Sequence, residues 1–385
     1  MKSRVCKIDL NKVCIHELNK ALAFYYGQSA YITEKDGGTL YYNINIDDAV
    51  IHHLSEMSKS SSYSKLIDQV PSQHLSSSCC QMHNLAMTEI ELENSTFLFD
   101  QRSIECMHLI KQIYIRMADH YFSTYHIAVP NIIETNHLHT AGYFEKFPAQ
   151  AMLCATLPLQ PFQVKDFIEM QRENFFKGLT LFSDNKYALN PVTCYHIYSN
   201  FSKLFNKYQH CRFTIEGKAH RYEGKNNSSG RLLEFHMIEM VFMENDADYI
   251  QLTDLIQFYK NFFLMLNIPV EFKTSSDAFF NIDAKLQAQL QERASAKIEL
   301  ICSFDQKNIA IGSINTHHDH FVKRFNLAKN HISTTKCTGI GIERLLLALY
   351  SYHSDHVKEL LTHVHSSLNK EYSNHRRTEY FNRTM

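Results

Sequence analysis

Apolar and polar positions change period several times along this chain, and each change marks an element. Ile104, Met107, Ile110, Ile113, Tyr114 and Met117 recur at helical spacing, which predicts a long helix over Phe99 to Tyr121. Tyr125-His126-Ile127-Ala128-Val129-Pro130 follows as a strand stopped by proline. Such a helix running into such a strand suits the interface of a homodimer. Thr214 to Glu223 and Arg231 to Met243 alternate as two strands about the polar loop Gly224 to Gly230, an antiparallel hairpin. Lys297 to Phe304 and Asn308 to Ile314 form a second pair around Asp305-Gln306-Lys307-Asn308. Leu345-Leu346-Leu347-Ala348-Leu349 predicts a buried helix to about Tyr350, and the tail from Ser351 reads as polar and histidine-rich.

The first hundred residues have a different texture. Asp9 to Phe24 is mixed helical, and Thr39 to Ile46 alternates like a strand after the Gly37-Gly38 turn signal. Met57 to Cys80 is serine-rich and offers little to pack, so it predicts an exposed loop. The expected organisation is an α+β extension over residues 1–98 containing that loop, followed by a larger α+β domain over 99–385. No internal repeat is present.

Composition narrows the function classes. At 385 residues and 44% hydrophobic content the chain can fill a sizeable core. A formal net charge of −1 gives no overall attraction for nucleic acid or anionic membrane. The ten cysteines include no CxxC pair, which excludes a disulfide framework or zinc ribbon and fits a reducing cytoplasm. The N-terminus lacks an apolar signal core, and no uncharged stretch approaches the roughly 20 residues of a membrane span.

The chemistry concentrates in two arginine-bearing segments. Arg221 and Glu223 lie two apart on the first strand of the Thr214 hairpin and face the same way, so a guanidinium and a carboxylate enter one pocket. The planar fork of Arg221 suits an α-phosphate whose charge grows as it is attacked, and Glu223 can accept from an amino group of a base. Arg231 and Phe235 follow on the return strand, and Phe235 can cover an aromatic base. In Cys337-Thr338-Gly339-Ile340-Gly341-Ile342-Glu343-Arg344, two glycines permit close backbone approach and Arg344 lies on the first turn of a helix. Each segment alone is also compatible with an ordinary surface hairpin or a tight turn before a buried helix.

Taken in order, these segments resemble motifs 2 and 3 of the class II aminoacyl-tRNA synthetase catalytic domain, and the helix and strand ending at Pro130 resemble motif 1. The resemblance spans roughly 100–350. It implies an antiparallel sheet flanked by helices. It also implies that Arg221 holds the α-phosphate of ATP, Glu223 reads adenine, Phe235 stacks on it, Arg231 lies beside the β- and γ-phosphates, and Arg344 holds the γ-phosphate. A closer resemblance is to the amino acid:[carrier protein] ligases, relatives of the atypical seryl-tRNA synthetases. It is carried by Asn190-Pro191-Val192-Thr193-Cys194-Tyr195-His196, Glu234-Phe235-His236-Met237-Ile238-Glu239, Ser313 to Phe321, and Cys337.

That family binds a catalytic zinc, and its ligands fall on Cys194, Glu239 and Cys337, with Glu239 and Asn315 beside the substrate. Two thiolates and a carboxylate are legitimate zinc ligands that leave a fourth position open. His317, His318 and His320 with Asp319 form a rival cluster, in which alternation puts His318 and His320 on one face and His317 on the other. Cys154, Cys211 and Cys302 read as core. Where many class II enzymes carry an acidic magnesium ligand, this chain reads Asn308-Ile309-Ala310-Ile311-Gly312, which leaves Glu299 as the candidate for Mg2+.

The function these features imply is ATP-dependent activation of a small amino acid, glycine or alanine, and transfer to the phosphopantetheine thiol of a carrier protein. A synthetase charging tRNA shares the first half-reaction. It is the second choice because a tRNA-binding part is expected and the first hundred residues show neither sustained heptads nor a basic stripe, while only about 35 residues follow the helix of motif 3. A non-catalytic paralogue acting as a binding module is the third, since both Arg221 and Arg344 are present.

Overall fold

The computed structural model describes residues 96–156, 161–173, 184–222, 232–245, 248–277, 296–304 and 307–383, together with short strands nearer the N-terminus. Those strands are β1 (Arg4–Lys7), β2 (Ala30–Thr33) and β3 (Thr39–Tyr42), paired in the order β1-β3-β2, and the hairpin of β4 (Ile90–Leu92) with β5 (Thr96–Leu98). The expected helix over Asp9 to Phe24 and the serine-rich loop lie outside the described residues.

Helix α1 (Gln101–Phe122) starts where Asp100 accepts the Ser103 N–H at 2.8 Å, satisfying a donor the first turn cannot use. It ends at Ser123 in the left-handed region, φ 51°, whose N–H returns to Asp119. Cys106, Met107, Ile110, Ile113, Tyr114 and Met117 make its buried stripe. Strand β6 (Tyr125–Ala128) follows. A smaller sheet in the order β7-β9-β8 comprises β7 (Ile132–Glu134), β8 (Leu153–Thr156) and β9 (Asp184–Leu189), with helices α2 (Thr135–Ala141), α3 (Tyr143–Lys146) and α4 (Pro161–Glu173) between its strands.

The main sheet has seven strands in the order β12-β13-β14-β15-β11-β10-β6. Its members are β10 (Arg212–His220), β11 (Glu234–Glu244), β12 (Glu271–Thr274), β13 (Lys297–Phe304), β14 (Lys307–His318) and β15 (Thr334–Gly341), with β6 at one edge. Every pairing is antiparallel except β6 with β10, which is parallel. The expected hairpin is β10–β11, in unbroken register from Arg212↔Phe242 to His220↔Glu234. The Arg221 N–H still reaches Leu233 O at 3.1 Å, so the ladder runs past the end of β10.

Alternation divides this sheet between two cores. Ile238, Met240, Phe242, Ile298, Leu300, Ile314 and Ile340 face helices α1, α6 (Leu252–Met265), α8 (Ile342–His353) and α9 (Val357–Arg383). Phe213, Ile215, Val241, Met243 and Cys337 face α5 (Tyr195–Tyr208) and α7 (His320–Arg324). Each fully buried large apolar side chain contributes about 1.5–3 kcal/mol from area removed from water. The tail expected to be merely polar is α9, which lays Val357, Leu361, Val364 and Leu368 along α1. Cys302 is core as expected, but Cys154 and Cys211 are only half-buried.

Candidate functional site

Cross-strand register collects the candidate residues on one face of the main sheet. On β11 and β15 Glu239 opposes Gly339 and Val241 opposes Cys337. On β14 Ser313 opposes Gly339 and Asn315 opposes Cys337, and on β13 Glu299 opposes Ser313 and Lys297 opposes Asn315. Arg221, two further residues along from Ala219 and its partner Phe235, has the same parity. The segments that looked separate in sequence are therefore one surface, roofed by the chain from Asn190 to α5.

At one end of the face is Arg221, whose Nε donates to Pro191 O at 2.9 Å and whose guanidinium lies 5.5 Å over the Phe235 ring. That backbone anchor fixes the fork's plane. Arg344, on the first turn of α8, donates from a terminal nitrogen to Ala310 O at 2.8 Å and so is tied to β14. Glu223 and Arg231 lie outside the described residues.

At the other end Cys194, Cys337 and Glu239 are buried at 2%, 4% and 3% exposure. The Cys194 thiol, raised well above its usual range by burial and by the neighbouring sulfur, donates to Cys337. Cys337 is held low by that bond first, against burial, with His317 and Asn315 helping. Burial pushes the Glu239 carboxyl up to about 8 although Thr193 donates to it at 2.6 Å and Arg221 pulls the other way. Arg221 acts on Lys297 as well. The two ends of the face therefore share an electrostatic field.

Glycine at 339 makes this geometry possible. A Cβ there would stand 2.5 Å from Glu239 Cγ and 2.7 Å from Ile238 O. Gly341 differs, because nothing approaches its Cβ position closer than 3.9 Å. Only the first of the two glycines is needed for close approach.

The expected zinc triad is not assembled as a group. Among the described residues no three His, Cys, Asp or Glu side chains are gathered as a metal ion requires. The reason is local: Glu239 accepts from Thr193 Oγ1 and from the Cys194 backbone N–H. Two thiols and a carboxylate are zinc donors in kind, but here they are not gathered about a common point. The rival histidine cluster is also dispersed. His317 turns to Cys337, its Nε2 3.6 Å from Sγ, while His320 meets Lys146 at 3.0 Å and His318 has a positive φ of 49°.

Asn315 Nδ2 donates to Ser313 Oγ at 3.0 Å and contacts the Cys337 sulfur at 3.8 Å. Glu299 is already paired with Lys297 at 3.4 Å. Lys297 escaped the sequence reading. Burial opposes its charge, but Asp277, at 2.6 Å, and Glu299 outweigh burial and raise its pKa. Its signal was plain alternation, two residues before Glu299. Glu343 was also missed: its buried carboxylate accepts the His236 backbone N–H at 2.9 Å and meets His236 Nδ1 at 2.6 Å, pinning α8 to β11.

A long helix feeding a parallel edge strand, the β10–β11 hairpin with its arginine, and a strand entering an arginine-bearing helix define a class II tRNA synthetase fold. Residues 179–353 match the tRNA synthetase class II core domain (G, H, P, S and T). The chain is 25% identical over 252 residues to a Type-2 serine--tRNA ligase of Methanococcus maripaludis strain C6, covering 60% of this chain and 49% of that protein. The strain C7 protein of the same name is 24% identical over 257 residues, with the same shares covered. The chain thus spans about half the length of the curated relatives it matches. A solved structure of M. kandleri SerRS in complex with A. aeolicus tRNASec superposes with a TM-score of 0.64 at 16% identity, over 93% of this chain and 76% of that one. Among the described residues no helix is long and apolar enough to cross a membrane.

Proposed function

We propose that this chain is a ligase that activates a small amino acid, glycine or alanine, with ATP and passes it to the phosphopantetheine thiol of a carrier protein. The observation that carries the reading is the single sheet face on which Arg221, anchored through Pro191, acts electrostatically on the buried Glu239 of the cysteine pair. In the first half-reaction a carboxylate oxygen of the amino acid attacks the α-phosphorus. The bond from that phosphorus to the oxygen bridging the β-phosphate breaks, and pyrophosphate leaves with the electron pair. Arg221 stabilises the charge gathering on the α-phosphate, which works best from a fixed, water-poor position. Arg344 and Arg231 hold the departing pyrophosphate, Glu223 and Phe235 hold adenine, and Glu299 supports Mg2+ on the phosphates.

Cys194, Glu239 and Cys337 would hold zinc, whose chemistry when bound is to take a neutral amine at its open position. Glu239 and Asn315 line the same end. In the second half-reaction the carrier thiolate attacks the adenylate carbonyl, AMP leaves, and a thioester results. No protein nucleophile is required, because positioning supplies the catalysis. The chain is expected to act in the reducing cytoplasm as a homodimer joined through α1 and β6.

The acceptor rests on the resemblance carried by Cys194, Glu239 and Cys337. A second reading, transfer to tRNA, is favoured by the names of the relatives. Incubation with ATP, labelled glycine, alanine or serine, total tRNA and a phosphopantetheinylated carrier separates the two. The expected result is pyrophosphate exchange with glycine or alanine and label on the carrier. Label on tRNA alone overturns the acceptor, and no exchange with any amino acid overturns activation itself.

A further inference from the structure

On the acceptor reading above, we infer that Lys146, Lys323 and Arg324 form a separate subsite for the phosphate group of the phosphopantetheine arm. A cavity of about 380 Å³ lies beside α7, lined by Asp319, His320, Lys323 and Arg324. The chain builds it by docking α7 on the end of α2 and on α3. Gly142, φ 75°, closes α2, and the Arg324 guanidinium carbon lies only 3.1 Å from where its Cβ would stand. Glu145 of α3 holds that guanidinium through both terminal nitrogens, at 3.2 Å and 2.8 Å, while Lys323 pairs with Asp319 at 2.5 Å.

Lys146 is the cation left without a carboxylate. Among the described residues its hydrogen-bond partner is His320, with Nζ donating to Nε2 at 3.0 Å. The other ring nitrogen of His320 donates to the Ala141 carbonyl, which leaves Nε2 as the acceptor, and burial first, then Lys146 and Arg324, push its pKa down to about 4. A neutral ring cancels none of the ammonium charge and leaves two of its three N–H groups for a ligand. Burial, then Arg324, lower the Lys146 pKa against the smaller pull of Asp277 and Glu145. A half-buried cation in a positive neighbourhood is costly until an anion joins it. Tyr143, one turn before Lys146, meets Tyr195 edge-on at 6.1 Å, and Phe321, after His320, stacks on Tyr198 at 4.5 Å. The subsite thus adjoins the front core that carries Cys194, and a long thiol arm held here by its phosphate can extend toward the sheet face. Three cations against Glu145 and Asp319 leave one surplus positive charge. That suits a single phosphate, whereas the run of phosphates along a nucleic acid needs a basic track.

Calorimetric titration with 4′-phosphopantetheine and with pantetheine, which differ by the phosphate alone, tests this without any assay of activity. The wild type is expected to bind the phosphorylated compound about 10–100-fold more tightly, the usual worth of charge-assisted hydrogen bonds. Lys146→Met should lose most of that preference and Lys146→Arg should keep it. Arg324→Gln serves as a second loss variant if the methionine protein does not fold, as read by circular dichroism. No preference in the wild type, or an unchanged preference in a folded loss variant, overturns the subsite while the labelling experiment above still decides the acceptor. Displacement of the phosphorylated compound by tRNA, with label on tRNA alone, overturns the assignment to a phosphopantetheine arm.

Discussion

At the scale of single residues, the site depends on what is missing as much as on what is present. Gly339 has no Cβ where Glu239 Cγ and the Ile238 carbonyl already stand at 2.5 Å and 2.7 Å from its place. The carbonyl belongs to a paired strand and cannot yield. Gly339→Ala should therefore destabilise the fold by about 1–3 kcal/mol, the usual cost of forcing extra volume into a packed site. It should also displace Glu239 and lower pyrophosphate exchange. Gly341→Ala, with 3.9 Å of clearance, should stay within about 0.5 kcal/mol of wild type. Urea unfolding of the two variants reads the contrast, and equal losses would remove the steric role of Gly339.

At the scale of elements, Glu216 joins three of them. Its carboxylate on β10 meets Lys111 of α1 at 3.0 Å and His126 of β6 at 3.5 Å. The His126 contact first, then Lys111, bring its pKa to about 2 against the opposing effect of burial. A carboxyl whose folded pKa is depressed adds stability that is complete above its unfolded value of 4.5 and is lost as pH falls toward about 2. Discounted for partial exposure, the contribution is about 2–3 kcal/mol. Glu216→Gln should lower the urea midpoint at pH 5 and flatten its decline between pH 5 and pH 3, and parallel declines in the two proteins would refute the linkage. The same contacts show what the sequence could and could not disclose. Alternation marked β13 to the residue and found β10, β11 and β14 with some ends displaced by up to three or four residues, because a sheet buried on both faces blurs the period where strands begin and stop. It could not say that β6 pairs in parallel with β10, since orientation is set by the helix that precedes it. Helix α9 was missed because Val357, Leu361, Val364 and Leu368 keep helical spacing among histidine, serine and lysine that read as solvated. Alternation set His317 apart from His318 and His320, and the structure keeps it apart, beside Cys337, although a bulge breaks the strict period just there.

At the scale of the whole molecule, one sheet separates two cores, and only one of them supports the cysteine pair. Phe262 on α6 is fully buried behind the sheet among α1 and α8 side chains. Phe201 on α5 is equally buried, 1% exposed, but belongs to the core in front with Cys194, Tyr198 and Cys337. Either Phe→Ala change should cost about 3–5 kcal/mol, so thermal or urea unfolding alone will not tell them apart. Their effects on the site should differ. Helix α5 starts immediately after Cys194, and a cavity at Phe201 lets its first turn, and with it the thiol that bonds Cys337, relax. The back core reaches the site less directly, through the paired backbone of the sheet and through Tyr259 and Tyr114, which bond Thr338 beside Cys337. At a temperature where both proteins remain folded, Phe262→Ala should keep near wild-type pyrophosphate exchange, whereas Phe201→Ala should lose most of it. Equal exchange in the two variants, at equal loss of stability, would mean that the sheet and not the front core holds the site in place.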